Sequence, residues 1–338
     1  MLSDNFSPLG LALHSLLCFL YGLMFNCLVT AKLQRGIALW YEGLVMKPIR
    51  RREFVRLTAA TAMAAAIFPA RVLALADSPK RSLRKAVNLG MVKIQGTVLE
   101  KFKLLKDLGF DGVELDRPGG PPADEILKAR DATGLAVANI IDSVHWRDTL
   151  SDPNLDVRAR GLEGLKTAMR DAKTFGAPTV LLVPAVVRKD VSYSDAWTRS
   201  PLEIRKAIPL AEELGVKIAI ENVGNYFLMS PLEAARFVDE FHSPVVAWHF
   251  DIGNCVAWGW PEHWIRALGK RISTLHIKEY SRAKRSQVEL GEGDCDWPAI
   301  MKALDETGFN GWAIAEVAGG DAERLKFLAG RMDRVLAT

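Results

Sequence analysis

A closed (β/α)8 barrel is the fold this sequence predicts, and three observations predict it. From about residue 85 onward, strand-length apolar runs alternate with segments of helical periodicity, eight of each, as in a parallel sheet wrapped by helices. No Gly-rich phosphate loop follows the first strand, as it would in a doubly wound open sheet built for a dinucleotide. The last four strand runs end at Glu221, Asp251, His276 and Glu316, all able to ligate a metal, and only a closed ring brings four successive strand ends to one point.

Each element has its own signal. The first strand begins over 85–90 and is followed by a helix over 98–108 that stops at Gly109. The second strand covers 112–116, with a helix over 123–133 stopped by Gly134. The third covers 135–141, then a long loop and a helix over 155–175 that Gly176 ends. The fourth covers 179–183, with a helix over 201–214 before Gly215. The remaining strands run over 216–221, 245–251, 272–276 and 312–316, and the remaining helices over 231–241, 261–268, 297–307 and 321–336. Their richness in Ile, Val and aromatics is that of strands covered on both faces. Alternation groups Lys217, Ala219 and Glu221 on one face, Ala247, His249 and Asp251 on another, and pairs Thr274 with His276 and Ile314 with Glu316. The four candidates then point inward together. One strand-end carboxylate alone reads as a helix cap or a partner for Lys217 or Lys278, but three buried beside one imidazole call for a cation.

The front of the chain is read separately. Arg50-Arg51-Arg52-Glu53-Phe54-Val55-Arg56, an apolar stretch over 57–67 and Ala74-Leu75-Ala76 resemble a twin-arginine (Tat) export signal over 46–76, with Asp77 as the mature start. This predicts a periplasmic or otherwise exported protein that meets the Tat export machinery. Residues 1–45 are expected to be a mis-assigned start, Met46 being the true one; a membrane anchor over 9–31 is the alternative. Eight basic and three acidic residues precede Asp77, so the formal charge of +4 for the whole chain becomes −1 beyond it. That balance excludes the basic footprint of a nucleic-acid binder. Cys255 and Cys295 lack the paired spacing of a zinc site and are open to two readings, a disulfide or two separate packing residues.

Ile220-Glu221-Asn222, Phe250-Asp251-Ile252-Gly253-Asn254, Leu275-His276-Ile277-Lys278-Glu279 and the stretches 290–294 and 109–115 resemble the xylose-isomerase-like barrel superfamily. Within it, the likeness is to the sugar phosphate isomerase/epimerase group that includes the D-tagatose 3-epimerase type. The resemblance implies that Glu221, Asp251, His276 and Glu316 hold one divalent ion, that Glu221 and Glu316 also form the acid/base pair, and that Arg282 contacts substrate. Two departures, Asn254 in place of a histidine and Phe227 in place of a substrate-holding glutamate, leave the sugar unassigned.

The donor set suits Mn2+, Mg2+ or Co2+ better than a closed structural zinc. The expected chemistry is proton abstraction beside a carbonyl, by isomerisation or epimerisation of a small carbohydrate through an enediolate. A non-phosphorylated keto-sugar fits export better than a sugar phosphate. A lyase or hydratase acting on 3-keto-glycosides and a non-catalytic periplasmic sugar-binding barrel are the competing readings. A nuclease resembling the related apurinic endonucleases would need more histidines and a basic groove. Smaller expectations fall on His145 and Trp146 over the substrate, Asn254, Lys278 at the enediolate oxygen or paired with Glu279 or Glu292, and Glu114 on a sugar hydroxyl or a neighbouring strand. His249 is expected one layer below the ligands, and Trp258 and Trp260 as an apolar wall or as packing. The oligomeric state, monomer or homo-oligomer, stays open.

Overall fold

The computed structural model describes residues 82–338. The expected twin-arginine leader over 46–76 and the expected extension before it lie outside the described residues. Among those described, no helix is long and apolar enough to cross a membrane.

Eight parallel strands close into a barrel. In chain order the elements are β1 (Arg84–Asn88), α1 (Val98–Asp107), β2 (Gly112–Arg117), α2 (Ala123–Thr133), β3 (Ala136–Asp142), α3 (Leu155–Phe175), β4 (Thr179–Leu182), α4 (Tyr193–Leu214), β5 (Lys217–Glu221), α5 (Pro231–Asp239) and β6 (Val246–Asp251). They continue with α6 (Ile252–Val256), α7 (Pro261–Leu268), β7 (Ile272–Ile277), β8 (Glu279–Ser281), β9 (Ser286–Val288), α8 (Trp297–Thr307), β10 (Trp312–Ala315) and α9 (Ala322–Leu336). The ring runs β1–β2–β3–β4–β5–β6–β7–β10, and β10 pairs with β1 through Arg84 opposite Trp312 and Val87 opposite Ala315.

Three departures from the sequence expectation stand out, the first being α6, a short helix capped by Asp251 that no periodicity announces. Helix α4 starts eight residues before Pro201, because Ser192 and Asp195 form a reciprocal capping box, and Pro201 and Pro209 are carried inside it. After β7 the chain makes a short antiparallel hairpin, β8 with β9, that no run of alternating apolar residues announces.

Burial follows the pleat. Outward side chains such as Val87, Val113, Ile218 and Leu275 join the helices in one continuous apolar core. A separate small cluster of Ala86, Ala138, Trp312 and Ile314 fills the inside at the amino-terminal end. Above it the interior turns polar: Glu114, Asn139, Thr179, His249, Thr274 and His276 are all buried. That layer is the floor on which the candidate site stands.

Candidate active site

The four strand-end residues converge. Glu221, Asp251, His276 and Glu316 each offer a ligand atom within 4.8 Å of the others. His276 Nδ1 lies 3.3 Å from Glu221 Oε1, 3.4 Å from Glu316 Oε2 and 3.7 Å from Asp251 Oδ2. Glu221, Asp251 and His276 are buried, and Glu316 keeps access from solvent. The set fits a hard divalent cation: three carboxylates and one imidazole nitrogen face one point.

The layer below positions the imidazole. His276 Nε2 lies 3.0 Å from Glu114 Oε1, which also accepts from Asn139 Nδ2 at 2.8 Å, and Asn139 Oδ1 accepts from the Thr179 hydroxyl at 2.5 Å. Donation of the Nε2 hydrogen to a carboxylate leaves Nδ1 free to ligate. Glu114 therefore bonds neighbouring strands and lies under the pocket, one of the two expectations for it. His249 packs its ring 4.0 Å from that of His276, with both nitrogens buried and unpartnered.

Asn222 ties two ligand strands together. Its Oδ1 accepts from the Asp251 amide at 2.9 Å and from Trp248 Nε1 at 3.2 Å, while its Nδ2 donates to the Asp251 carbonyl at 2.8 Å. Asp251 in turn caps α6, accepting from the Asn254 amide at 2.7 Å, and Asn254 Nδ2 donates to the Asn222 carbonyl at 3.1 Å.

Lys278 stands inside the cluster. Its Nζ is 2.7 Å from Asp251 Oδ2 and 2.5 Å from Glu316 Oε2, so its partners are neither Glu279 nor Glu292. Gly253 makes room for it: a Cβ there would come within 2.4 Å of Lys278 Cγ. Glu279 faces away, accepting from the Gly291 and Cys295 amides and from Trp297 Nε1.

Electrostatics separates the two glutamates. Burial pushes Glu221 up to about 7, against the pull of His276 beside it. Burial also acts to raise Glu316, but His276 and Lys278 outweigh it and hold that carboxyl well below the usual range. For His276 burial favours the neutral ring, yet Glu114 and Glu316 prevail and raise it well above 6.5.

A pocket of about 250 Å³ opens over this cluster, lined among others by Glu221, His276, Lys278, Glu316, Asn254, His145, Trp146 and Asp116. His145 is buried, its Nδ1 accepting from the Val183 amide at 3.2 Å, and burial drives it down to about 3, so it stays neutral. Trp146 is half exposed at the rim. Asp116 is a pocket residue that the sequence reading passed over; alternation from inward-facing Glu114 was the signal that could have found it.

Arg282 is turned elsewhere. Its guanidinium donates to the Val256 and Gly259 carbonyls at 3.0 and 2.6 Å and stacks on Trp260, 4.6 Å from its centroid. Those carbonyls lie at the end of α6 and just beyond it, where helix acceptors lack intrahelical donors, and they hold the side chain that the resemblance assigned to substrate. Trp258 and Trp260 likewise are not pocket residues. Phe227 packs among Tyr193, Trp197 and Phe237. Cys255 and Cys295 are free thiols.

Known proteins of this architecture are similar along most of the chain. L-ribulose-5-phosphate 3-epimerase UlaE of Escherichia coli O1:K1 / APEC is 26% identical over 241 residues, covering 67% of this chain and 84% of the enzyme. The structure of a D-tagatose 3-epimerase-like protein superposes with a TM-score of 0.65 at 19% identity, over 75% of this chain and 98% of that one. The 3-keto-D-glucoside 4-epimerase YcjR of E. coli gives 0.64 at 15% identity, over 76% and 100%. Residues 102–331 match the model of the xylose isomerase-like TIM barrels, and the chain belongs to that family.

Proposed function

We propose that the barrel is a sugar epimerase or isomerase, dependent on a divalent metal, that moves a proton on a carbon beside a carbonyl. The observation that carries this reading is the convergence of Glu221, Asp251, His276 and Glu316 at the floor of an open pocket. The epimerase relatives support the reaction class.

Mn2+, Mg2+ or Co2+ bound by these four residues would supply Lewis-acid polarisation of the substrate carbonyl. The chain's own groups do the rest. Glu221, at the pocket wall beside the reacting carbon, is the carboxylate placed to take the proton. Glu316, more open to solvent, returns one, to the opposite face of the same carbon in epimerisation or to the neighbouring carbon in isomerisation. Lys278 places a positive charge where negative charge develops on the enediolate oxygen. Asn254, His145 and Trp146 line the space for the rest of the sugar.

The substrate of this proposal carries no phosphate at the site. The acidic residues Asp116, Glu221 and Glu316 line the pocket, and Lys278, its fixed cation, is already paired with Asp251 and Glu316. With the twin-arginine leader, this proposal places the reaction outside the cytoplasm.

Incubation of the purified protein with Mn2+ in D2O, with free ketoses and in parallel with a 3-keto-glycoside, tests it. Deuterium beside the carbonyl, with appearance of the epimer or isomer, is the expected result; loss of a substituent from a 3-keto-glycoside would replace it by an elimination, and binding without exchange would sink the catalytic reading. Glu316→Gln should lower the rate of epimer or isomer formation by about 10²–10⁴-fold with KM little changed. Product formation at the parent rate would remove Glu316 from its role.

A further inference from the structure

A second cavity, of about 290 Å³, opens on the same end of the barrel, between the loops that follow β1 and β2. Asp116 lines both this cavity and the central pocket. The central pocket alone, about 250 Å³, is smaller than the roughly 300–1,000 Å³ of ordinary ligand sites, and the two spaces together fall inside that range.

The walls of the side cavity are mixed. Val98, Leu115 and Pro121 present apolar surface, while Lys101 and Glu125 bring hydrogen-bonding groups to it. Such a lining suits a ring with an apolar face and a polar edge, such as a second sugar or an aryl alcohol. A free keto-sugar would leave it filled only with water.

We propose that the side cavity holds a substituent O-linked to the reacting sugar, so that the substrate is a keto-glycoside, its keto ring over the four ligand side chains and its second group between the β1–α1 and β2–α2 loops. The proposal rests on the sugar reading of the central pocket. Asp116, at the junction, is placed to reach hydroxyl groups on both parts, and its Oδ2 is steadied by Asn88 Nδ2 at 3.4 Å.

The probes are 3-keto-D-glucose and phenyl 3-keto-β-D-glucoside, presented to the Mn2+-loaded protein. Saturation-transfer NMR shows which ligand protons touch the protein, and deuterium exchange gives KM for each compound. In the parent protein the phenyl protons should saturate as strongly as the sugar protons, with KM for the glycoside lower by about tenfold. Lys101→Trp, which fills the cavity from α1, should abolish phenyl saturation and bring the two KM values within about twofold of each other. Glu125→Trp fills it from α2 and serves if the first variant does not fold. Sugar saturation without phenyl saturation in the parent protein overturns the side-cavity assignment while leaving the sugar reading intact, as does phenyl saturation that persists in a folded tryptophan variant. No saturation of either compound overturns the sugar reading and this inference with it.

Discussion

Asp142, the last residue of β3, shows what an unpaired buried carboxylate does to a barrel. Its Oδ1 accepts from the Val144 amide at 3.2 Å, while Oδ2 is buried with no hydrogen-bond partner. Burial, helped by the nearby charge of Asp148, lifts it from 3.8 to about 7. A carboxyl that holds its proton more tightly when folded costs stability as pH rises from its unfolded value near 4 through 7. Asp142→Asn keeps the Oδ1 acceptor and removes the charge. Urea unfolding should show the variant equal to the parent near pH 4 and more stable by about 2–4 kcal/mol near pH 8. Equal stability at both pH values would refute this account of Asp142. Residues at strand ends were the most legible part of the sequence: Glu221, Asp251, His276 and Glu316 alternate with apolar neighbours on strands whose direction is unambiguous. Lys278 was legible only as inward-facing, because its partners come from other strands. The partners of Arg282 were not legible for a related reason: its donors go to the Val256 and Gly259 carbonyls at the end of α6 and just beyond it, and a helix end leaves no periodic trace.

Elements with a period and a stop signal stood out in the sequence, and those held by long-range polar contacts did not. Helices α2, α3, α7 and α8 occupy the predicted residues because glycines or prolines bound them. The early start of α4 was written in its Ser192–Asp195 box, which the two internal prolines obscured. The hairpin of β8 and β9 and the stretch that follows are organised by one side chain, Glu279, which receives N–H groups from Gly291, Cys295 and Trp297 at 2.8, 2.9 and 2.8 Å. Glu279→Gln replaces an acceptor with a donor where only donors point. The expected loss is about 2–3 kcal/mol, read by denaturant unfolding, with faster amide exchange concentrated over residues 289–297. Uniform exchange across the barrel would mean that Glu279 does not organise this segment.

For the whole molecule, the proposed cation is also a stability term. Residues from β5, β6, β7 and the end of β10 would share it, so binding favours the closed ring over any open form. Mn2+ at a hundred times its Kd should raise stability by about 2.7 kcal/mol, measured as a shift in Tm, with a chelator reversing it. The shift should shrink on acidification, since Glu114 and Glu316 hold a proton on His276 that an entering cation must displace. Asp251→Asn should remove most of it; an unchanged shift would place the ion elsewhere. Barrel closure was legible because four ligand strands in succession make sense only in a ring. The site that opens beside β1 and β2 was not, because it is made by loops. The pairing of β10 with β1 has one more consequence, and it concerns time. A ribosome releases β1 before every other barrel strand and β10 after them all, so the ring cannot shut, and Glu316 cannot join Glu221, Asp251 and His276, until the other seven strands have been made.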